Sequence, residues 1–130
     1  MDIVIDTSAV LAVLLNEASK NSILSSSKGM DLIAPINIDA EIGNAISSMF
    51  KRNRLVFDEA LKVLSQYHLI PIRKSSLDLK ESISLSKELN IYAYDAYMLY
   101  CCIKYNSPLL SLDTTLLNHA KNKGIKTIEV

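Results

Sequence analysis

Short apolar runs alternate along this chain with longer segments of helical periodicity. The runs predict five strands, at Asp2–Ile5, Asp31–Ala34, Leu69–Ile72, Pro108–Leu112 and Ile125–Val130. The first and fourth are continuously apolar rather than alternating in polarity, which is typical of strands that helices cover on both faces. Repeated strand–helix units of this kind predict an α/β fold with a mostly parallel sheet.

Seven helical patterns lie between the predicted strands. They cover Ser8–Leu15, Ser19–Ser27, Ile36–Lys51, Phe57–Tyr67, Ser75–Leu89, Ala93–Tyr105 and Thr114–Lys123. Polar residues suited to N-caps precede several of them, and Gly124 suits the end of the last one. Because no repeat, low-complexity tract or linker interrupts the pattern, we expect residues 1–130 to form a single domain.

Composition narrows the possible functions. Lys and Arg number 14, as do Asp and Glu, so bulk charge does not indicate a nucleic-acid binder and local patches would be needed. Cys101 and Cys102 are adjacent, which suits neither a disulfide nor a zinc site and predicts a reduced, cytoplasmic chain. Asp2 and Asp6 argue against a signal peptide, and no run reaches the roughly 18 apolar residues of a membrane span.

Four acidic residues fall where an apolar run ends or a helix begins or turns inward: Asp6, Glu41, Asp95 and Asp113. If the first strand lies beside the fourth, Asp6 and Asp113 flank the crevice at the carboxyl ends of the strands, where open α/β sheets bind ligands. Gathered carboxylates are the oxygen ligands that a hard cation such as Mg²⁺ requires. A cation held in this way can activate water against a phosphodiester.

Each acid also has a simpler structural interpretation. Asp6 and Asp113 precede helices and suit N-caps, and Asp95 suits the positive end of a helix dipole. Glu41 falls inside a predicted helix, where it is either an exposed residue or, next to the small Gly43, part of a close contact. Crowded carboxylates raise one another's pKa, so a cluster of all four would favour a bound cation.

Four segments, taken in order, resemble the PIN domain family and specifically the VapC toxins of type II toxin–antitoxin pairs: Ile3–Ser8, Glu41–Asn44, Tyr94–Leu99 and Ser111–Leu116. The resemblance covers nearly the whole chain. It implies a three-layer α/β/α sandwich with a mostly parallel five-stranded sheet. It also implies a Mg²⁺- or Mn²⁺-dependent endoribonuclease that acts on RNA, forms a homodimer and is blocked by a cognate VapB-type antitoxin.

The resemblance also implies roles for individual residues. By position, Asp6, Glu41, Asp95 and Asp113 are the metal-binding and catalytic acids. Thr7, Ser8 and Ser111 match hydroxyl positions that orient the acids, and Asn44 matches a polar position beside the second acid. Many relatives carry a further acid after the fourth, whereas this chain has neutral residues at 114–116, which argues against a stable second metal ion.

Outside these motifs, Lys51, Arg52 and Arg54 follow the helix that carries Glu41. We predict that they contact RNA phosphates, although basic residues in a last helical turn also oppose the helix dipole favourably. The tyrosines Tyr92, Tyr94, Tyr97 and Tyr100 cluster around the third segment, where base stacking is conceivable. Tyr97 and Tyr100 are predicted instead to pack in the core or at a subunit contact. His68 and His119 lack metal-ligand spacing and receive no catalytic role.

Other functions fit parts of the pattern. A receiver domain would require adjacent acids after the first strand and a Lys after the last one. A haloacid-dehalogenase-type phosphatase would require Asp-x-Asp, and Ser8 occupies the position of its second acid. A noncatalytic PIN-like binding or scaffold subunit fits the whole pattern and is the main alternative to the nuclease.

Overall fold

The computed structural model describes all residues from Met1 to Val130. The strands are β1 (Asp2–Ile5), β2 (Asp31–Pro35), β3 (Ile72–Ser75), β4 (Leu109–Leu110) and β5 (Thr127–Ile128). The helices are α1 (Thr7–Leu14), α2 (Lys20–Ser27), α3 (Ile38–Lys51), α4 (Phe57–Leu69), α5 (Leu79–Leu89), α6 (Ala93–Tyr105) and α7 (Thr114–Asn122).

All five strands are parallel and lie in the order β3-β2-β1-β4-β5. Successive side chains of a strand point to opposite faces of the sheet, so Ile3 and Ile5 enter one core while Val4 enters another. The first core is completed by α1, α2, α3 and α4, and the second by α5, α6 and α7. Helices therefore cover both faces, and the predicted three-layer α/β/α sandwich with a parallel five-stranded sheet is confirmed.

The strand order determines where a ligand site can form. β1 pairs with β2 on one side and with β4 on the other, so the winding of the sheet changes direction at β1. The crevice that such a reversal opens lies outside the carboxyl ends of β1 and β4. This order differs from the 2-1-3-4-5 order of receiver domains, which excludes the receiver-like alternative.

The third strand was predicted at Leu69–Ile72, and this prediction was wrong. The apolar Leu69 ends α4 instead, and the strand begins at Ile72, after Pro71, which has no amide proton for a sheet hydrogen bond. β3 is an edge strand with exposed side chains at Arg73 and Lys74, so its sequence lacks the apolar signal of the central strands.

The start of α5 was also predicted too early, at Ser75. The helix begins at Leu79, because the carboxylate of Asp78 accepts a hydrogen bond of 3.1 Å from the amide of Glu81 and forms the N-cap. The C-cap of the helix is Asn90, whose φ of 54° is left-handed, a conformation that asparagine tolerates better than most residues. Asn106 caps the end of α6 in the same way.

The fold also bears on two predictions made from composition. Cys101 and Cys102 on α6 are buried and form no disulfide. Burial raises the pKa of the Cys101 thiol to about 11, so this thiol stays protonated at neutral pH. None of the helices combines the length and the apolar character that crossing a membrane would require.

Candidate active site

Asp6 follows β1 directly and caps the N-terminus of α1. Its carboxylate accepts hydrogen bonds from the amide of Ala9 at 3.0 Å and from the hydroxyls of Ser8 at 2.7 Å and Ser111 at 2.5 Å. Only 5% of the residue is exposed. Ser8 has one hydroxyl proton, so these donors supply three hydrogen bonds and leave one of the four lone-pair positions of the carboxylate free. The capping interpretation of Asp6 is therefore correct, and it leaves an oxygen lone pair for a ligand.

Two serines hold the loop after β4 against the loop after β1. The hydroxyl of Ser111 donates to Asp6 and accepts from the amide of Asp113 at 2.9 Å. The hydroxyl of Ser8 donates to Asp6 and accepts from the amide of Leu112 at 3.0 Å. Each serine hydroxyl thus donates one hydrogen bond to Asp6 and accepts another from the loop after β4. Together these bonds fix the position of Asp113 relative to Asp6.

Asp113 caps α7, with its carboxylate accepting from the amide of Leu116 at 3.1 Å. Asp95 lies in the first turn of α6, and Glu41 lies in the first turn of α3 rather than in a helix interior as predicted, since that helix begins at Ile38. All four acids thus sit at helix N-termini, where the helix dipole favours negative charge.

The four carboxylates converge on one cleft of about 300 Å³. Its remaining lining is Thr7, Ser8, Leu11, Tyr94, Met98 and Leu116. The lining contains no lysine, arginine or histidine, so nothing in its wall neutralises the acids. The expected juxtaposition of the first and fourth strands is the reason that Asp6 and Asp113 meet here.

The acids interact electrostatically with one another. Burial is the main cause that raises the pKa of Asp6, Glu41 and Asp95 above their ordinary values. The charge of Asp113 raises the pKa of Asp6 and of Asp95 further, and the charges of Asp6 and Asp95 do the same for Glu41. The charge of His119, on α7, acts in the opposite direction and lowers the pKa of Asp95.

Glu41 has a partner that sequence reasoning missed. The side-chain amide of Asn37 donates a hydrogen bond of 3.0 Å to Oε2 of Glu41, and Oδ1 of Asn37 is buried without a partner. Asn37 precedes Glu41 by four positions, a spacing that places two residues on the same helix face. That spacing is the signal from which the pair could have been found.

The predicted supporting residues fall into two groups. Ser8 and Ser111 bond Asp6 directly. The hydroxyl of Thr7 is buried beside Glu41 and lowers the pKa of that carboxyl, but no partner is aligned well enough to complete a hydrogen bond with it. Asn44 is exposed and does not line the cleft, and its role beside the second acid stays a prediction.

A divalent cation fits the cleft by the chemistry of its donors. No three acidic, histidine or cysteine side chains form a ready-made metal site. However, four hard carboxylate donors line one cleft, three of them have raised pKa values, and the orphaned hydroxyl of Thr7 lies among them. Oxygen donors that repel one another in the absence of a cation are the set that Mg²⁺ or Mn²⁺ would stabilise.

The basic residues Lys51, Arg52 and Arg54 are exposed and outside the cleft. Lys51 lies ten residues after Glu41 on α3, about 15 Å along the helix axis at 1.5 Å per residue. Tyr97 and Tyr100 are half-buried, in agreement with packing, whereas Tyr92 and Tyr94 are 88% and 63% exposed. RNA contacts by the basic residues therefore stay a prediction.

Comparisons with known proteins point to one family. The sequence profile of the PIN domain matches residues 3–122. No curated protein sequence matches the chain significantly. Among solved structures, one similar protein is PAE2754 from Pyrobaculum aerophilum. The alignment covers 98% of this chain and 83% of PAE2754, with 20% identity and a TM-score of 0.75.

Two further similar structures are VapBC2 from Rickettsia felis, bound to a DNA fragment from its promoter, and VapC20 from Mycobacterium tuberculosis, a toxin that cleaves the sarcin–ricin loop. The first aligns over 98% of both chains with 14% identity and a TM-score of 0.72. The second aligns over 98% of both with 15% identity and a TM-score of 0.65. At these identities the likenesses establish the fold. Since the profile match spans most of the chain, this protein belongs to the PIN domain family.

Proposed function

We propose that this chain, taken as one domain over residues 1–130, is a Mg²⁺- or Mn²⁺-dependent endoribonuclease and the VapC-type toxin of a toxin–antitoxin pair. The observation that carries the proposal is the convergence of Asp6, Glu41, Asp95 and Asp113 on one cleft that no lysine, arginine or histidine lines. Membership of the PIN domain family and the likeness to VapC20, a toxin that cleaves the sarcin–ricin loop, support the same activity.

In this proposal the four acids hold the cation. A bound divalent cation would lower the pKa of a water molecule and offset the charge that develops on the scissile phosphate. Asp6 is fixed by three hydrogen-bond donors and serves as the rigid anchor of the set. Glu41 and Asp95 are half-buried and have raised pKa values, so one of them takes the proton of the attacking water.

Incubation of the purified protein with total RNA tests the proposal. We expect cleavage with Mg²⁺ or Mn²⁺, none after chelation, and products with a 5′-phosphate and a 3′-hydroxyl. Asp95→Asn should remove cleavage while the far-ultraviolet circular dichroism stays that of the folded protein. A 2′,3′-cyclic phosphate product would refute attack by water, because it arises when the ribose hydroxyl is the nucleophile.

The proposed partners are a second copy of the chain and a VapB-type antitoxin, in the cytoplasm. An acidic cleft without basic lining suits an arginine from a partner, because a guanidinium bonds carboxylates in bidentate fashion. A co-expressed antitoxin should suppress cleavage, and replacement of the arginine by alanine should relieve the inhibition. Sedimentation as a monomer at micromolar concentration would contradict the homodimer.

A noncatalytic PIN-like binding or scaffold subunit is the second candidate. Two observations favour it: Asp6 and Asp113 already serve as N-caps, and no three side chains form a ready-made metal site. In that case the protein would bind its partner normally but would not cleave RNA at any concentration of Mg²⁺ or Mn²⁺. The RNA incubation above therefore separates the two candidates.

A further inference from the structure

We propose that Asn37 is a positioning residue of the acidic cleft, which orients the carboxylate of Glu41 for a bound cation instead of capping α3. This inference rests on the proposed nuclease function and deepens it. Asn37 occupies the N-cap position of α3, immediately before Ile38. Asparagine is among the most favoured residues at that position, because its side-chain oxygen can accept a hydrogen bond from a free amide of the first helical turn.

The side chain of Asn37 does not make this ordinary contact. It accepts no hydrogen bond from an amide of α3, and its Oδ1 atom is buried without a partner. Three other N-cap residues of the protein behave as expected. Asp6, Asp78 and Asp113 each accept a bond of 3.0 to 3.1 Å from an amide of the helix that follows. The first amides of α3 therefore lack the side-chain acceptor that their N-cap residue could supply.

The backbone at Asn37 explains where its side chain goes. The three capping aspartates have extended backbones, with ψ between 95° and 171°, as is typical of an N-cap. Asn37 has a φ of −70° and a ψ of −3°, which is a helical conformation. Residues four positions apart in a helical segment are neighbours on one face, and Glu41 follows Asn37 by four. The side-chain amide of Asn37 accordingly donates to Oε2 of Glu41 at 3.0 Å.

The unpartnered polar atoms of the protein also point to Glu41. Only two buried side-chain oxygen or nitrogen atoms lack a hydrogen-bond partner, Oδ1 of Asn37 and Oγ1 of Thr7. Asn37 bonds the carboxylate of Glu41, and the hydroxyl of Thr7 lies beside it. Folded proteins satisfy nearly all buried polar groups, and local rules of stability are broken mainly at functional sites. Both exceptions in this protein adjoin one acid of the cleft.

A restrained carboxylate suits a cation better than a mobile one. Glutamate has a longer and more flexible side chain than aspartate, so ordering Glu41 at the moment of binding would cost conformational entropy. The bond from Asn37 restrains this side chain before a cation arrives. Residues that hold a metal ligand in this way are important for affinity, and their replacement typically weakens metal binding by roughly 10–100-fold.

Stability distinguishes a positioning residue from a helix cap. If Asn37 capped α3, Asn37→Ala would lower the denaturation midpoint of the metal-free protein, as Asp78→Ala should at the N-cap of α5. For a positioning residue, Asn37→Ala should leave the midpoint unchanged or raise it slightly, because the truncation removes a buried acceptor that has no partner. Chemical denaturation in the presence of a chelator measures both variants, with Asp78→Ala as the matched control.

Metal binding provides the second measurement. In a calorimetric titration with Mn²⁺, Asn37→Ala should raise Kd about tenfold, and Asp78→Ala should leave Kd unchanged. Because Asn37 acts through Glu41, its replacement should have no further effect in a protein that already carries Glu41→Gln. The double variant therefore tests whether the two residues act as one unit.

The outcomes separate this inference from the proposed function. A midpoint lowered as far by Asn37→Ala as by Asp78→Ala would make Asn37 a structural residue. That result, or a Kd for Mn²⁺ that Asn37→Ala does not change, would overturn the inference while metal-dependent cleavage stands. A further loss of affinity on top of Glu41→Gln would also overturn it, since Asn37 would then act elsewhere. Failure of the unmodified protein to bind Mn²⁺ would overturn the nuclease proposal and the positioning role together.

Discussion

The hydroxyl of Ser111 donates a hydrogen bond of 2.5 Å to the carboxylate of Asp6, a residue 105 positions earlier in the chain. This bond joins the carboxyl ends of β4 and β1, the two strands at which the sheet reverses its order. Asp6 is almost entirely buried, so the bond is made to a charge that has few other means of solvation. The geometry of the candidate site therefore depends on a contact that is invisible in any local segment of the sequence.

Ser111→Ala tests this contact. Loss of a hydrogen bond to a buried charged group should lower the free energy of unfolding by about 2 kcal/mol at neutral pH. The pKa of Asp6 should rise further, since the Ser111 hydroxyl now lowers it. Denaturant unfolding measures the first effect, with Ser65→Ala, an exposed serine of α4, as the control. Equal midpoints for both variants would mean that the bond does not stabilise the fold.

The raised pKa values of Asp6, Glu41 and Asp95 predict how stability depends on pH without metal. In the window between the unfolded values, near 4, and the raised native values, the native state binds more protons than the unfolded state. The contribution of these three carboxyls to the free energy of unfolding is therefore fully present below their unfolded pKa values. It is lost as pH rises through their native pKa values. Thermal denaturation at a series of pH values measures this slope.

Asp39 provides an internal contrast in the same experiment. The Tyr67 hydroxyl bonds its carboxylate at 2.7 Å and lowers its pKa, so its contribution has the opposite sign and is lost at the acidic end. Glu41→Gln should reduce the loss of stability as pH rises above the unfolded value of the carboxyl, and Asp39→Asn should leave that part of the curve intact. A slope unchanged by Glu41→Gln would contradict the raised pKa of Glu41.

Asn37→Ala tests the hydrogen bond that holds Glu41. Without the 3.0 Å bond from Asn37, the carboxylate of Glu41 loses a donor that favours its charged form, so its pKa should rise. We expect kcat to fall about tenfold and the acidic limb of the pH–rate profile to move to higher pH. Asn21→Ala, at an exposed asparagine of α2, is the control. A fall in rate without a shift of the profile would mean that Asn37 only stabilises α3.

Local sequence patterns predicted much of this molecule and failed where tertiary contacts decide the outcome. The apolar runs at β1 and β2 identified buried strands because those strands are covered on both faces. β3 was misplaced because an edge strand can be polar. Asn37 was overlooked although its spacing of four positions from Glu41 indicated the contact. Asp6 was judged correctly as a cap, but its lone pair for a ligand became evident only from the count of its donors.

A bound divalent cation should offset the mutual repulsion of the four carboxylates. Mg²⁺ or Mn²⁺ should therefore raise the melting temperature at neutral pH and flatten the pH dependence of stability, because the carboxylates would no longer take up protons on folding. Calorimetric titration should give a binding isotherm that Asp95→Asn weakens. Absence of both heat and thermal shift would count against a metal site in this cleft, whatever the result of the RNA assays.

The exposed cluster of Lys51, Arg52 and Arg54 lies about 15 Å along α3 from Glu41, far enough to contact phosphates several nucleotides from the cleavage position. If each residue neutralises one phosphate, replacing all three by alanine should weaken binding of single-stranded RNA and reduce the salt dependence of the affinity by roughly one unit of slope per residue. Fluorescence anisotropy at several salt concentrations measures both effects. Lys80→Ala and Lys87→Ala, on the exposed surface of α5, are the matched controls. A salt slope equal to that of the controls would assign the cluster to stabilisation of the end of α3, where basic side chains oppose the helix dipole.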